Sequence, residues 1–242
     1  IRDSHKTLVR HFEKRTADRA DAIVAVSRYT AQQLQEHLGV PGARVIYNGV
    51  DTSFFRPASQ HEPASDNRPF RLLFVGTLSR RKGADLLPLI MQRLGAGFEL
   101  RHTGGPDRNG DVGSEPGIIA LGRLDRDELL KAYQYADLLL FPTRLEGLGL
   151  VALEAMACGT PAVTSRMGPL TEIVDDGVNG RLCPVDDVQA FADAIRDLRD
   201  NPRSLAVMGA TARRTVEARF TIDQMCDGYL DLFEVLTGRQ PG

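Results

Sequence analysis

The chain has 242 residues, 42% of them apolar and 26% charged, enough for one large core or two small ones and the balance of an ordinary soluble globular protein. Its formal net charge of -2 supplies no general attraction to nucleic acid, which argues against that class of partner. No stretch approaches the ~20 apolar residues of a membrane-spanning helix, and no charged segment followed by an apolar one marks a signal peptide.

In chain order, Ser4 to Ala20 read as a helix with Leu8, Val9 and Phe12 on one side and Arg2, Lys6, Arg10, Lys14 and Arg15 elsewhere. Such a basic helix suits a solvated surface or an anionic membrane face. The run Ala22 to Val26 has strand length, and on its own it would leave unpaired edges. Ser27 is placed to cap a helix from Tyr29 to Leu38, which Gly39 and Pro41 end. Val45 to Tyr47 read as a short strand and Asn48-Gly49 as a turn, while Pro57 to Pro69 lack periodicity and read as a linker.

From Phe70 onward the pattern is regular. Apolar runs at Leu72 to Val75, Phe98 to Arg101, Ile118 to Leu121, Leu138 to Phe141 and Ala162 to Thr164 alternate with helical stretches. That alternation predicts an α/β domain, a Rossmann-like doubly wound parallel sheet covered on both faces. Asp125 with Glu128 forms a cap-like box, Val188, Phe191, Ala192, Ile195 and Leu198 recur at helical spacing, and Thr221 with Gln224 opens a last helix. The three cysteines, Cys158, Cys183 and Cys226, are odd in number and match no zinc spacing, which fits a reducing cytosol.

In open α/β sheets ligands bind beyond the carboxyl ends of the strands, so the loops after each strand carry the candidate chemistry. The stretch from Thr143 to Val163 follows an apolar strand with a loop holding Gly147 and Gly149 and then an Ala/Leu/Met helix. Glycines there allow backbone N–H groups close to a ligand, and the positive end of the helix dipole favours an anion such as phosphate. Glu146 lies in this loop, and Glu154 is the only charged residue between Gly147 and Cys158. A buried carboxylate needs donors, which sugar or ribose hydroxyls would supply; a solvated helix edge or an ion pair would satisfy it equally. After the first strand of the regular region, Arg80, Arg81 and Lys82 precede a helix, against its dipole, a conflict that a diphosphate would resolve. His102 follows the next strand ahead of Gly104 and Gly105, with no carboxylate or cysteine near it in sequence.

Glu146, seven residues, Glu154, followed by Ala155, Met156, Ala157, Gly159, Pro161 and Val163, resembles the E-x7-E signature of retaining, nucleotide-sugar-dependent glycosyltransferases of family four, which have the GT-B fold. AIVAVS and VIYNGVDTSFFRP resemble the seam between the two domains of that family. The resemblance implies that 1–47 are the remnant of an N-terminal acceptor domain, the rest of which is missing, that 48–69 are an interdomain segment, and that 70–242 are the donor-binding domain. The chain's start at Ile1 rather than at a methionine suits a fragment or processed product.

The same resemblance implies site roles. Glu146, Lys82 and Arg81 would be catalytic. Arg80, Arg81, Lys82, Gly147, Leu148, Gly149 and Leu150 would hold the donor diphosphate and sugar, with Thr77 standing where the family has an arginine. Glu154, Gly104, Arg123 and Leu124 would contact ribose and base. Ser165 to Glu172 resemble the family's G-G-x-P-E loop near the sugar, with Pro169 and Thr171 as departures. The implied donor is a UDP-, GDP- or ADP-sugar with no metal or other cofactor. The acceptor, a glycan, lipid or small molecule, stays open, and the implied location is the cytoplasm, including the inner face of the membrane.

Two other readings stay open at this stage. One is a nucleotide-sugar-binding module that is inactive without a partner domain. The other is an NADP-dependent oxidoreductase, since Gly147-Leu148-Gly149-Leu150-Val151-Ala152 satisfies a dinucleotide fingerprint and Arg166 follows the next strand.

Overall fold

In the computed structural model, which describes residues 12–59, 68–104 and 116–238, the chain opens with a short parallel pair, β1 (Val24–Ala25) and β2 (Arg44–Val45), joined by helix α1 (Arg28–Leu38). The run Ala22 to Val26 is therefore not an orphan strand: β1 pairs with β2, and Ile46 N extends the ladder to the carbonyl of Ala25. Residues 12–17 are helical, and the predicted helix from Ser4 otherwise falls largely outside the described residues.

Six strands then form one sheet: β3 (Phe70–Phe74), β4 (Phe98–His102), β5 (Ile118–Ala120), β6 (Leu138–Phe141), β7 (Ala162–Ser165) and β8 (Gly180–Cys183). Every pairing is parallel, in the order β5-β4-β3-β6-β7-β8. The chain thus starts in the middle, steps outward to β5, and returns to build the other half from β6. Helices α2 (Leu87–Leu94), α3 (Arg126–Tyr135), α4 (Leu150–Ala157), α5 (Leu170–Ile173), α6 (Val188–Asp200) and α7 (Pro202–Arg219) follow the strands. Alternate side chains feed two cores. Leu72, Phe74, Leu138 and Leu140 pack with α2 and α6, whereas Leu73, Leu139 and Phe141 pack with α3, α4 and α7. Both faces are covered, which is why the strands read as continuous apolar runs.

The predicted caps are formed. Ser27 Oγ accepts from Thr30 N, Gly39 ends α1 in the left-handed region, and both halves of the boxes at Asp125/Glu128 and Thr221/Gln224 are present. Strand β8 and helix α7 lack a legible signal. The former has four residues, one of them Arg181, and the latter buries small groups such as Gly209 and Ala212, so neither shows a strong apolar period. Gly209 belongs there because a Cβ would lie 2.3 Å from the carbonyl oxygen of Gly159.

The last helix, α8 (Ile222–Thr237), returns to the seam. Val50 N donates to Phe220 O at 2.8 Å, Ile222 N donates to Val50 O at 3.2 Å, and Gly228 packs on Ile46. Among the described residues no helix is long and apolar enough to cross a membrane.

Strand order reverses between β3 and β6, which opens a crevice at their carboxyl ends. The two exit loops touch there: a Cβ on Gly83, whose φ is 74°, would lie 1.9 Å from the carbonyl oxygen of Pro142. Gly83→Ala is expected to destabilise the chain by about 1–3 kcal/mol more than Gly39→Ala, because backbone must move in addition to the strain of positive φ. Gly39 is the control, in the same left-handed region with a φ of 63° and an added Cβ that would meet just the end of the Lys14 side chain, at 3.8 Å. Urea unfolding of the two variants measures the difference.

Candidate functional site

The site is built where the loops over 76–83 and 142–149 meet. Arg80–Lys82 form a 3-10 turn of their own, followed by a second one at Ala84–Leu86 before α2 begins. The three cations thus precede a helix as expected, in a turn of their own that Gly83 and the second turn separate from α2. Gly83 turns the chain ahead of α2, donating its N–H to Arg80 O at 3.1 Å, and Arg144 braces the carbonyls of the turn. Arg144 N donates to Arg81 O at 2.8 Å, and its guanidinium donates to Arg80 O. The same guanidinium pairs with Asp85 at 2.7 and 2.9 Å and with Asp186 at 2.6 Å. Arg81 answers by donating to Leu145 O at 3.1 Å.

Lys82 Nζ thereby reaches Glu146 Oε1 at 2.5 Å, and Thr143 Oγ1 donates to the same oxygen at 2.9 Å. The two side chains are only 14% and 9% exposed, so their attraction is weakly screened and neither charge is readily left alone. The Lys82 ammonium also lies 5.2 Å from the centre of the Phe141 ring. Arg80 and Arg81 are exposed beside this pair.

Beyond Glu146 the backbone bends into α4 at Gly149, which has a φ of 102° and no side-chain cap. Among the described residues the amides of Leu148 and Gly149 have no acceptor, and they stand at the positive end of α4. The carbonyl of Gly147 faces the other way and accepts from Ser27 Oγ at 2.8 Å and Thr30 Oγ1 at 3.2 Å. Glu172 also turns to the seam. Its carboxylate accepts from Arg28 N, Tyr29 N and Tyr47 Oη at 3.0, 2.8 and 2.7 Å.

Glu154 sits one turn into α4. Tyr133 Oη donates to its Oε2 at 2.7 Å. Burial raises the Glu154 pKa, opposed by this hydrogen bond and by the charge of Arg126. Glu154, Leu124 and Leu150 line one cavity of about 370 Å³ with Asp51, Phe55 and Arg126. Arg126 is held there by Asp51 at 2.8 Å and lies 3.9 Å over the Phe54 ring. Arg123 is exposed and does not line this cavity. Gly104 is required by packing, since a Cβ would lie 2.3 Å from Leu78 Cγ.

Sequence reasoning missed Asp51, Arg126, Tyr133 and Arg144. The one available signal was a tyrosine on the buried face of a capped helix, a hydroxyl that needs a partner. Other groups are otherwise engaged. His102 is buried, burial pushes the Cys158 and Cys183 thiols up to about 12, and Arg166 pairs with Asp176. The fingerprint at Gly147 follows the fourth strand of the sheet rather than the first, which together with the engaged Arg166 leaves the NADP reading unsupported. A larger cavity, 560 Å³ and lined by Pro57, Cys158, Pro161 and Leu205 among others, lies at the amino-terminal end of β7, away from this chemistry.

The chain is a doubly wound α/β sheet with a glycine turn, a lysine and two carboxylates around its switch point, and the comparisons give its class. Residues 55–215 match the family of glycosyl transferases group 1, and residues 2–54 match glycosyltransferase family 4. The chain belongs to the group 1 glycosyl transferases, with a GT-B-type fold. D-inositol 3-phosphate glycosyltransferase of Thermobispora bispora is 33% identical over 253 residues, 92% of this chain and 58% of that protein. The protein of the same name from Mycolicibacterium smegmatis is 29% identical over 250 residues, 95% of this chain and 57% of that one. The chain thus spans just over half the length of these relatives. Among solved structures, sucrose-phosphate synthase from Thermosynechococcus elongatus superposes with a TM-score of 0.84 at 26% identity, covering 95% of this chain and 61% of the other. Anabaena HepE in complex with UDP-glucose gives 0.82 at 20% identity, covering 93% and 67%.

The raised pKa of Glu154 has a sign that can be measured. An acid raised by folding stabilises below its unfolded value, near 4.5, and loses that contribution as pH rises through the folded value. Glu154→Gln is therefore expected to melt at or above the wild-type temperature at pH 7. The wild type should gain on the variant as pH falls toward 4.5, in paired melting curves.

Proposed function

We propose that this chain is the donor-binding portion of a retaining glycosyltransferase, which transfers a sugar from a nucleoside diphosphate sugar to an acceptor without a metal ion. The observation that carries the reading is the near-buried Lys82–Glu146 pair beside the free amides of Leu148 and Gly149. In this reading the donor diphosphate takes the place of Glu146 as the counterion of Lys82, and the two amides hold its distal phosphate. Lys82 and Arg81 then stabilise the charge that develops on the leaving diphosphate, the kind of electrostatic contribution that often dominates catalysis. Glu146, released from the ammonium, lies beside the sugar and stabilises positive charge at its anomeric carbon. Glu154 accepts from the ribose hydroxyls, and Leu124 contacts the base through its backbone.

The relatives named as glycosyltransferases and the neighbour holding UDP-glucose support this assignment. Residues 1–47 are assigned to the acceptor side, 48–69 to the interdomain segment and 70–242 to the donor domain. Sugar transfer is a property of the complete polypeptide and is assayed there, whereas donor binding is tested on the chain itself.

Calorimetry with UDP, GDP and ADP is expected to give saturable binding of at least one. Lys82→Ala and Glu154→Ala should each weaken it about tenfold or more, the effect of losing a charge-assisted hydrogen bond. No binding of any of the three would overturn the donor-site assignment. In the complete polypeptide, Glu146→Gln should lower kcat by more than it raises KM, as expected for a contact made in the transition state.

A further inference from the structure

A carboxylate that reads a ribose must present an acceptor oxygen in a fixed direction and stay ionised at a buried position. Glu154 has three side-chain torsions, and α4 offers it no cation. Arg126 lines the same cavity, but its hydrogen bond goes to Asp51 at 2.8 Å. Among the described residues the one hydrogen bond that Glu154 accepts on its side chain comes from Tyr133, at 2.7 Å to Oε2.

Tyr133 is itself held on every side. It is fully buried on α3, and the Asp125/Glu128 box fixes the start of that helix. Its ring stands edge-on to Phe55 with centroids 5.9 Å apart, and its carbonyl accepts from Thr160 Oγ1 at 2.8 Å. Among the described residues the phenol has one hydrogen-bond partner, Glu154.

We propose that Tyr133 is a positioning residue for donor recognition: its hydroxyl fixes the Glu154 carboxylate so that Oε1 is left to accept from the vicinal hydroxyls of the donor ribose. The proposal rests on the reading of Glu154 as the ribose contact and adds the group that orients it. The geometry is consistent with this, since Oε2 is taken by the phenol, Oε1 has no partner among the described residues, and Glu154 lines the 370 Å³ cavity. Burial raises the Glu154 pKa and the phenol opposes that rise, so the same bond also favours the ionised, acceptor-only form.

The test separates the two claims. Dissociation constants of UDP, GDP and ADP and of their 2′,3′-dideoxy counterparts are measured by calorimetry for the wild type, Tyr133→Phe and Thr160→Val, each with a melting curve. Phe keeps the ring and removes one oxygen, while Val at 160 removes the hydrogen bond to the Tyr133 carbonyl and leaves the phenol in place. The wild type is expected to prefer the ribose form. Tyr133→Phe should cut that preference about tenfold, with little change for the dideoxy form, since a hydrogen bond to a charged group is lost. Thr160→Val should keep the wild-type preference. Equal weakening of both forms by Tyr133→Phe, or an unchanged preference, would overturn the role of Tyr133 and leave the ribose reading standing. A wild type that binds both forms alike would overturn the ribose reading itself, and the proposal with it.

Discussion

The carbonyl of Pro142 occupies the space that a side chain on Gly83 would need, and the pairing of Lys82 with Glu146 depends on that contact. It lets the exits of β3 and β6 touch, which brings Lys82 and Glu146, 64 residues apart, to 2.5 Å. A loop held a few ångströms further out would leave both groups in water, where their attraction is far weaker. Arg144 secures the arrangement by bonding backbone of the 3-10 turn and the carboxylates of Asp85 and Asp186 at once.

Two mostly buried carboxylates flank this turn and are satisfied in different ways. Glu146 has a full counterion, Lys82, and a hydroxyl donor, Thr143. Glu154 has a single neutral donor, the Tyr133 phenol, and its pKa is raised by burial. One carboxylate is thus part of an ion pair, and the other rests on a single neutral hydrogen bond.

The seam is joined to the same loops. Helix α1 has no acidic residue in its first turn, and Glu172 supplies the negative charge from the far side of the chain by accepting from the amides of Arg28 and Tyr29. Ser27 and Thr30 grip the carbonyl of Gly147, the residue between Glu146 and the free amides. Gly168 is bare because a Cβ there would lie 2.3 Å from the Tyr29 ring. The segment around α1 is therefore joined to the Gly147 loop directly, through hydrogen bonds.

Much of this was legible in the residues. The apolar runs placed five of the six strands, the Ser27, Asp125 and Thr221 caps placed three helix starts, and the spacing of Glu146 and Glu154 around Gly147 and Gly149 placed the candidate site. These are local signals, set by side-chain period and by hydrogen bonds within a few positions, so a linear reading recovers them. Strand β8, helix α7 and the 3-10 turn at Arg80 escaped because a short run, a face of small residues or a glycine turn leaves too weak a period. The pairing of Lys82 with Glu146, the hold of Tyr133 on Glu154, the place of Arg126 rather than Arg123 in the cavity and the turning of Glu172 toward α1 were decided by the tertiary structure alone. Each joins residues 21 to 144 positions apart, and such contacts depend on which strands become neighbours and how closely their loops pack, neither of which a local pattern encodes.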